Sequence, residues 1–141
     1  MQVFDIMTPG VAAVDADTNL LDAAKQMKEK DIGLLPVMSG DRILGVLTDR
    51  DLVIRAVAEE TDLKKTKVSD IVSDKPVVIH PDDTVDHAAK MFAQHQVRRI
   101  IVVDETQRPV GVLSLGDLAV EISDDQMVSN VLRQISKPLH H

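Results

Sequence analysis

Gly45-Val46-Leu47-Thr48-Asp49-Arg50-Asp51-Leu52 returns later in the chain as Gly111-Val112-Leu113-Ser114-Leu115-Gly116-Asp117-Leu118. Further upstream, Val3-Phe4-Asp5-Ile6-Met7-Thr8 is echoed by Val68-Ser69-Asp70-Ile71-Val72-Ser73. The spacing of the two echoes differs by a single residue, which loops absorb. One such pair could arise by chance, whereas several in the same order point to an internal duplication.

Each copy predicts the same run of elements. Residues 11–14 and 76–79 are short, mostly apolar segments of the kind that form buried strands. Thr18 and Thr84 each follow an Asp and are expected to cap a helix, because the hydroxyl accepts a first-turn N–H. Leu20, Ala23, Ala24 and Met27 then fall on one helical stripe, matched by Val85, Ala88, Ala89 and Phe92. A hairpin follows each helix. Residues 35–38 and 42–47 are split by Ser39-Gly40-Asp41; residues 100–103 and 109–113 are split by 104–108. A second helix is expected from about Asp49 and about Leu115. The polar stretch 59–67 reads as a connector, and Ser123 with Gln126 makes a capping box. Beyond it Val128, Val131, Leu132 and Ile135 predict a C-terminal amphipathic helix. One three-stranded unit exposes too much apolar surface to stand alone. The expectation is therefore an α+β fold of two β-α-β-β-α units packed about a pseudo-two-fold axis. By sequence these are residues 1–60 and 68–122, with a connector at 61–67 and a helix and tail at 123–141.

The 141 residues are 44% apolar and 28% charged, a globular balance. A net charge of −7 opposes phosphate backbones and anionic lipid, so neither nucleic acid nor membrane is an expected partner. Cysteine is absent, which removes disulfides and thiolate metal sites. Phe4 and Phe92 are the only aromatic residues, so a bound base would rest on aliphatic walls. No signal peptide is visible at Met1-Gln2-Val3-Phe4-Asp5, and no apolar run approaches the ~20 residues a bilayer requires. Cytoplasm is the expected location. His140-His141 reads as the stub of an expression tag and is left out of site reasoning.

The order of elements, with Gly-h-h-Thr/Ser-x-x-Asp closing each hairpin, resembles the CBS domain family. Asp5-Ile6-Met7-Thr8, Leu35-Pro36-Val37, Thr48-Asp49-Arg50-Asp51 and His95-Gln96-Val97-Arg98-Arg99 carry the likeness. It is similar in particular to small bacterial and archaeal proteins made only of a CBS pair. The resemblance implies a cleft between the units that takes an adenosyl ligand: AMP, ADP, ATP or S-adenosylmethionine. It implies Asp51 and Asp117 on ribose, and Thr48 and Ser114 on ribose or phosphate. The Arg98-Arg99 pair would meet phosphate, where the first copy has Gly33-Leu34. It also implies a homodimer joined through the second-position helices.

Elementary chemistry agrees. A carboxylate is acceptor-only and suits a 2′,3′-diol, while a hydroxyl at a strand–helix junction lies where free N–H groups attract phosphate. Asp51 stands one turn beyond Thr48, so both can face one ligand. The plainer reading of both motifs is helix capping, and of the arginines, surface pairing with an acid. Arg50 and Arg55 could add charge or simply face solvent. Asp49-x-Asp51 superficially suggests a phosphate-transferring aspartate, but Leu115 breaks the pattern in the second copy, so no enzyme is expected. His80, His87 and His95 form no i, i+4 metal pair, so no metal site or catalytic residue is nominated. Two classes remain. The chain is a regulatory ligand sensor read by an effector protein that the sequence leaves unidentified, or a structural interaction module with an empty or metal-binding cleft. Leu52, Val53, Ile54, Ala56 and Val57 are more apolar than one buried face needs, which favours self-association.

Overall fold

The computed structural model describes residues 1–72, 76–121 and 125–136. Its elements run α1 (Val3–Ile6), β1 (Thr8–Pro9), β2 (Val14–Asp15), α2 (Leu20–Lys30), β3 (Leu34–Ser39), β4 (Arg42–Thr48) and α3 (Asp49–Asp51). The last continues as a π-helical stretch, Leu52–Val57, and a 3₁₀ turn follows at Val68–Asp70. Then come β5 (Val78–Ile79), α4 (Val85–His95), β6 (Arg99–Val103), β7 (Pro109–Ser114), α5 (Leu115–Glu121) and α6 (Asp125–Ile135). This is the mixed α+β order expected from the duplication.

Two compact units emerge, and their borders differ from those of the sequence repeats. One gathers Met1–Gly10, Val77–Thr106 and the chain from Val110; the other gathers Val11–Pro76 with Gln107–Pro109. The leading segment of each sequence repeat therefore packs in the unit built on the other repeat. The exchange is reciprocal bond for bond. Val3 N–H donates to the Asp83 carbonyl (2.9 Å) and Val68 N–H to the Thr18 carbonyl (2.8 Å). Phe4 N–H donates to Pro81 (2.8 Å), and its counterpart Ser69 N–H to Ala16 (3.3 Å). Gln2 bridges Thr84 just as Lys67 bridges Asn19.

In the first unit the sheet order is β1-β7-β6-β5. Ile79, Val85, Ala88, Phe92, Ile100, Val102, Leu113 and Leu118 form its core, and Val3 is fully buried among them. The alternation that sets Leu113 inward is the period of two along a half-buried strand. β1 runs antiparallel to β7, with Pro9 opposite Gly111. A Cβ on Gly111 would stand 2.8 Å from the Thr8 carbonyl oxygen, so the motif's glycine is required by the backbone lying over it. α6 packs on α4 through buried Val131, and the Gln96 side chain donates to the Gln134 carbonyl (2.8 Å). α4 has apolar Met91 and Ala93 where α2 has Gln26 and Lys28, so its apolar face is wider where α6 lands. The Ser123–Gln126 box and the Val128 side chain lie outside the described residues.

In the second unit β3 is flanked by parallel β2 and antiparallel β4. Leu20, Ala23, Met27, Leu35, Val37, Leu47, Leu52, Ala56 and Val68 make its core. Pro36 is tolerated inside β3 because β2 pairs only with Val37 and Met38, and a proline needs a place where its missing N–H is not called upon. Two expectations change here. Asn19, not Thr18, caps α2: its side chain accepts from Asp22 N–H at 2.8 Å, while Thr18 N–H closes a turn on Asp15. An amide oxygen caps as well as a hydroxyl, and Asn19 occupies the place of Thr84 in the other repeat. The stretch 59–67 is also more than a spacer. Leu63 packs on the core, and its carbonyl accepts from Leu21 N–H at 3.0 Å.

Candidate functional site

Each hairpin delivers its motif to a strand–helix junction. β4 ends at Thr48, which lies opposite Leu34, and the chain turns directly into α3. Thr48 Oγ1 accepts from Asp51 N–H (3.1 Å), and Asp51 Oδ2 accepts from Thr48 N–H (3.0 Å). β7 ends at Ser114 in the same way. Ser114 Oγ accepts from Asp117 N–H (3.0 Å), and Asp117 Oδ2 accepts from Ser114 N–H (3.1 Å). All four side chains are half-buried. The plain capping role is thus fully realised at both junctions.

Capping does not exhaust these groups. Each Asp spends Oδ2 on the backbone and leaves Oδ1 without a hydrogen bond among the described residues. Each hydroxyl accepts one bond and keeps its own proton to donate. A junction therefore offers one carboxylate oxygen and one O–H, held at fixed separation by the box itself. The box alone is not distinctive, since Gln2/Asp5, Lys67/Asp70 and His80/Asp83 place a carboxylate on a backbone N–H three residues earlier. Among those described, only Thr48/Asp51 and Ser114/Asp117 combine the carboxylate with a hydroxyl at the end of a hairpin strand.

The residue before each second strand is brought to the junction of its own repeat. Asp49 N–H donates to the Gly33 carbonyl (2.9 Å), and Leu115 N–H donates to the Arg98 carbonyl (2.8 Å). Arg98 is therefore a backbone neighbour of the Ser114–Asp117 junction, a placement the sequence alone left open. Arg98 and Arg99 are exposed, and neither guanidinium has an ion pair among the described residues. Arg55 has a structural job: its Nη1 donates to the Ile71 carbonyl at 2.6 Å, tying the π-helical stretch to the segment after Val68. Arg50 is exposed. Asp49, weighed from sequence only as part of an enzyme-like pattern, lies at the first junction with Oδ1 accepting from Arg50 N–H at 2.8 Å.

His80 Nδ1 lies 3.2 Å from the Val103 carbonyl, while His87 and His95 are exposed. The described residues contain no group of three or more His, Asp or Glu placed to hold a metal ion. No helix among them is long and apolar enough to cross a membrane.

Comparison with known proteins fixes the class. The CBS domain family matches twice, over residues 3–58 and 68–124, and the chain belongs to that family. It is similar to the CBS domain-containing protein YhcV of Bacillus subtilis, 37% identical over 134 residues that cover 95% of this chain and 94% of YhcV. It is also similar to Hypoxic response protein 1 of Mycobacterium tuberculosis, 33% identical over 136 residues, covering 96% of this chain and 94% of that protein. A crystal structure of Hypoxic Response Protein I with two coordinated zinc ions superposes at a TM-score of 0.77 with 33% identity, covering 86% of this chain and 99% of that one. CBSX2 in complex with AMP superposes at 0.70 with 27% identity, covering 84% and 93% of the two chains.

Proposed function

We propose that this chain is a regulatory ligand-sensing module whose Thr48–Asp51 and Ser114–Asp117 junctions hold an adenosyl ligand, an adenine nucleotide or S-adenosylmethionine. The observation that carries the reading is the free Oδ1 and hydroxyl proton left at each junction by a completed capping box. A ribose diol donates to the carboxylate oxygen and accepts from the hydroxyl, so the two free groups match the two ends of a sugar edge. The AMP-bound relative supports the choice of an adenosyl ligand. No catalytic role is assigned, because a bound ligand shifts populations between conformations, and a partner protein reads that shift. Cytoplasm is the compartment this reading implies. The zinc of the Hypoxic Response Protein I structure is not carried over, since the described residues hold no group of three or more His, Asp or Glu placed for a metal.

A panel of AMP, ADP, ATP, NAD and S-adenosylmethionine tests the reading. A ligand at ~100 times its Kd stabilises the native state by ~2.7 kcal/mol, which moves the melting temperature by several degrees. At least one member is expected to do so. A panel without a shift, together with no calorimetric heat at millimolar ligand, would sink it.

The second element of the proposal is a homodimer formed through the second-position helices. Leu52 and Ala56 face the core, whereas Val53, Ile54 and Val57 are 60%, 46% and 59% exposed. In the other repeat Val120 is 81% exposed. A cluster of aliphatic side chains left in water on matching elements is the mark of a contact surface. Light scattering should give twice the chain mass, and Ile54→Glu with Val57→Glu should return it to the monomer. A monomer mass for the unaltered chain across micromolar concentrations counts against the dimer.

A further inference from the structure

The two junctions share one backbone and differ in charge. In both, the residue after the hydroxyl donates its N–H to the residue preceding the second strand, Asp49 to Gly33 and Leu115 to Arg98, at 2.9 and 2.8 Å. Position for position, the first junction carries a carboxylate where the second carries leucine, and glycine where the second carries arginine. Asp49 does not swing freely, because its Oδ1 accepts from Arg50 N–H at 2.8 Å and holds the carboxylate at the helix start. The first junction thus has two carboxylates at its helix start, Asp49 and Asp51, followed in sequence by exposed Arg50. At the second junction there is one carboxylate, Asp117, and the chain beside it, joined through the Arg98 carbonyl, carries two exposed arginines, Arg98 and Arg99.

Resting on the adenosyl-binding reading above, we propose that the two junctions sort ligands by the charge of the 5′ group. The Ser114–Asp117 junction takes a phosphorylated adenosine. The Thr48–Asp51 junction takes an adenosyl ligand whose 5′ substituent is neutral or cationic, such as a thioether or a sulfonium. Asp49 is the specificity-determining residue that turns phosphate away. A like charge within about 6 Å of a half-solvated site costs on the order of tenfold in affinity. An unpaired guanidinium adds a charge-assisted bond to phosphate and none to a neutral group. Consecutive residues in extended chain point to opposite faces, so of Arg98 and Arg99 one serves the ligand, and separate substitutions tell which. The module then reports on two pools of adenosyl compounds at once, not on one pool twice.

The test is amide-resolved titration of the full chain with AMP, adenosine and S-adenosylmethionine, following the Asp49–Asp51 and Leu115–Asp117 signals separately. AMP should move the second set at least tenfold more tightly than the first, and S-adenosylmethionine should reverse that order. Asp49→Asn keeps the shape and the acceptor but removes the charge; it should raise AMP affinity at the first junction about tenfold relative to adenosine. Arg98→Gln or Arg99→Gln should erase the AMP preference at the second junction, and should also erase its fall with added salt. Binding at both junctions with an AMP-to-adenosine ratio that Asp49→Asn leaves unchanged overturns the sorting while leaving the sensor intact. No response of either set to any of the three ligands overturns both.

Discussion

Val3→Asp is expected to cost more than about 4 kcal/mol and to disturb the second repeat, not the first, in which Val3 lies by sequence. Val3 has no exposed surface and sits in the core cluster with Val85, Phe92 and Ile100. An unpaired carboxylate placed there has no partner to offset its desolvation, one of the few routes to a loss of this size. The milder Val3→Ala removes two carbons and should cost about 2–3 kcal/mol, transfer and cavity combined. Its footprint is the decisive readout. Hydrogen exchange should quicken in Arg99–Val103 and around Phe92, while Val68→Ala should quicken it in Leu34–Ser39. Exchange that quickens within each residue's own sequence repeat would contradict the reciprocal packing.

Asp51→Asn and Asp117→Asn should each weaken an adenosyl ligand at their own junction by roughly ten- to a hundredfold, with little change in stability. Hydrogen bonds to a charged group contribute about 1.5–3 kcal/mol, and the substitution removes the charge. The cap survives because the amide oxygen of asparagine still accepts from Thr48 or Ser114 N–H, the bond that Oδ2 now makes at 3.0 and 3.1 Å. That division separates the two roles the residue plays. Calorimetry reads the ligand, and a melt without ligand reads the cap. Unchanged affinity in both variants would leave the carboxylates as caps alone.

Much of this architecture was legible from spacing. The duplicated octapeptide placed both hairpins, and the Ala-rich stripes placed α2 and α4, because period and turn chemistry are local. The leading segments were not legible as exchanged. Val3 and Val68 look alike in either partnership, and nothing local says which copy a segment joins. Leu63 was hidden in a charged stretch for a similar reason, since one apolar residue among polar ones has no period. Thr18 and Asn19 are adjacent and both good caps, and the choice between them is made by tertiary hydrogen bonds on Thr18 and Asn19. At the candidate site, the residue types were readable but their company was not. That the Arg98 backbone lies beside the Ser114 junction follows only from the Leu115 N–H ending on its carbonyl.

The reciprocal packing of Met1–Gly10 and the Val68 segment also says how such a chain could have arisen. An ancestor with a single repeat could not have closed its own unit with its own arm, if that arm lay where it lies now. Two identical ancestral chains lending arms to each other would have satisfied both, in a closed two-fold exchange. Gene fusion would turn such a loan between molecules into one within a molecule, replacing a concentration-dependent encounter with a tethered one. Cutting the chain between residues 60 and 61 would not return two independent halves. It would return two chains still holding each other's arms.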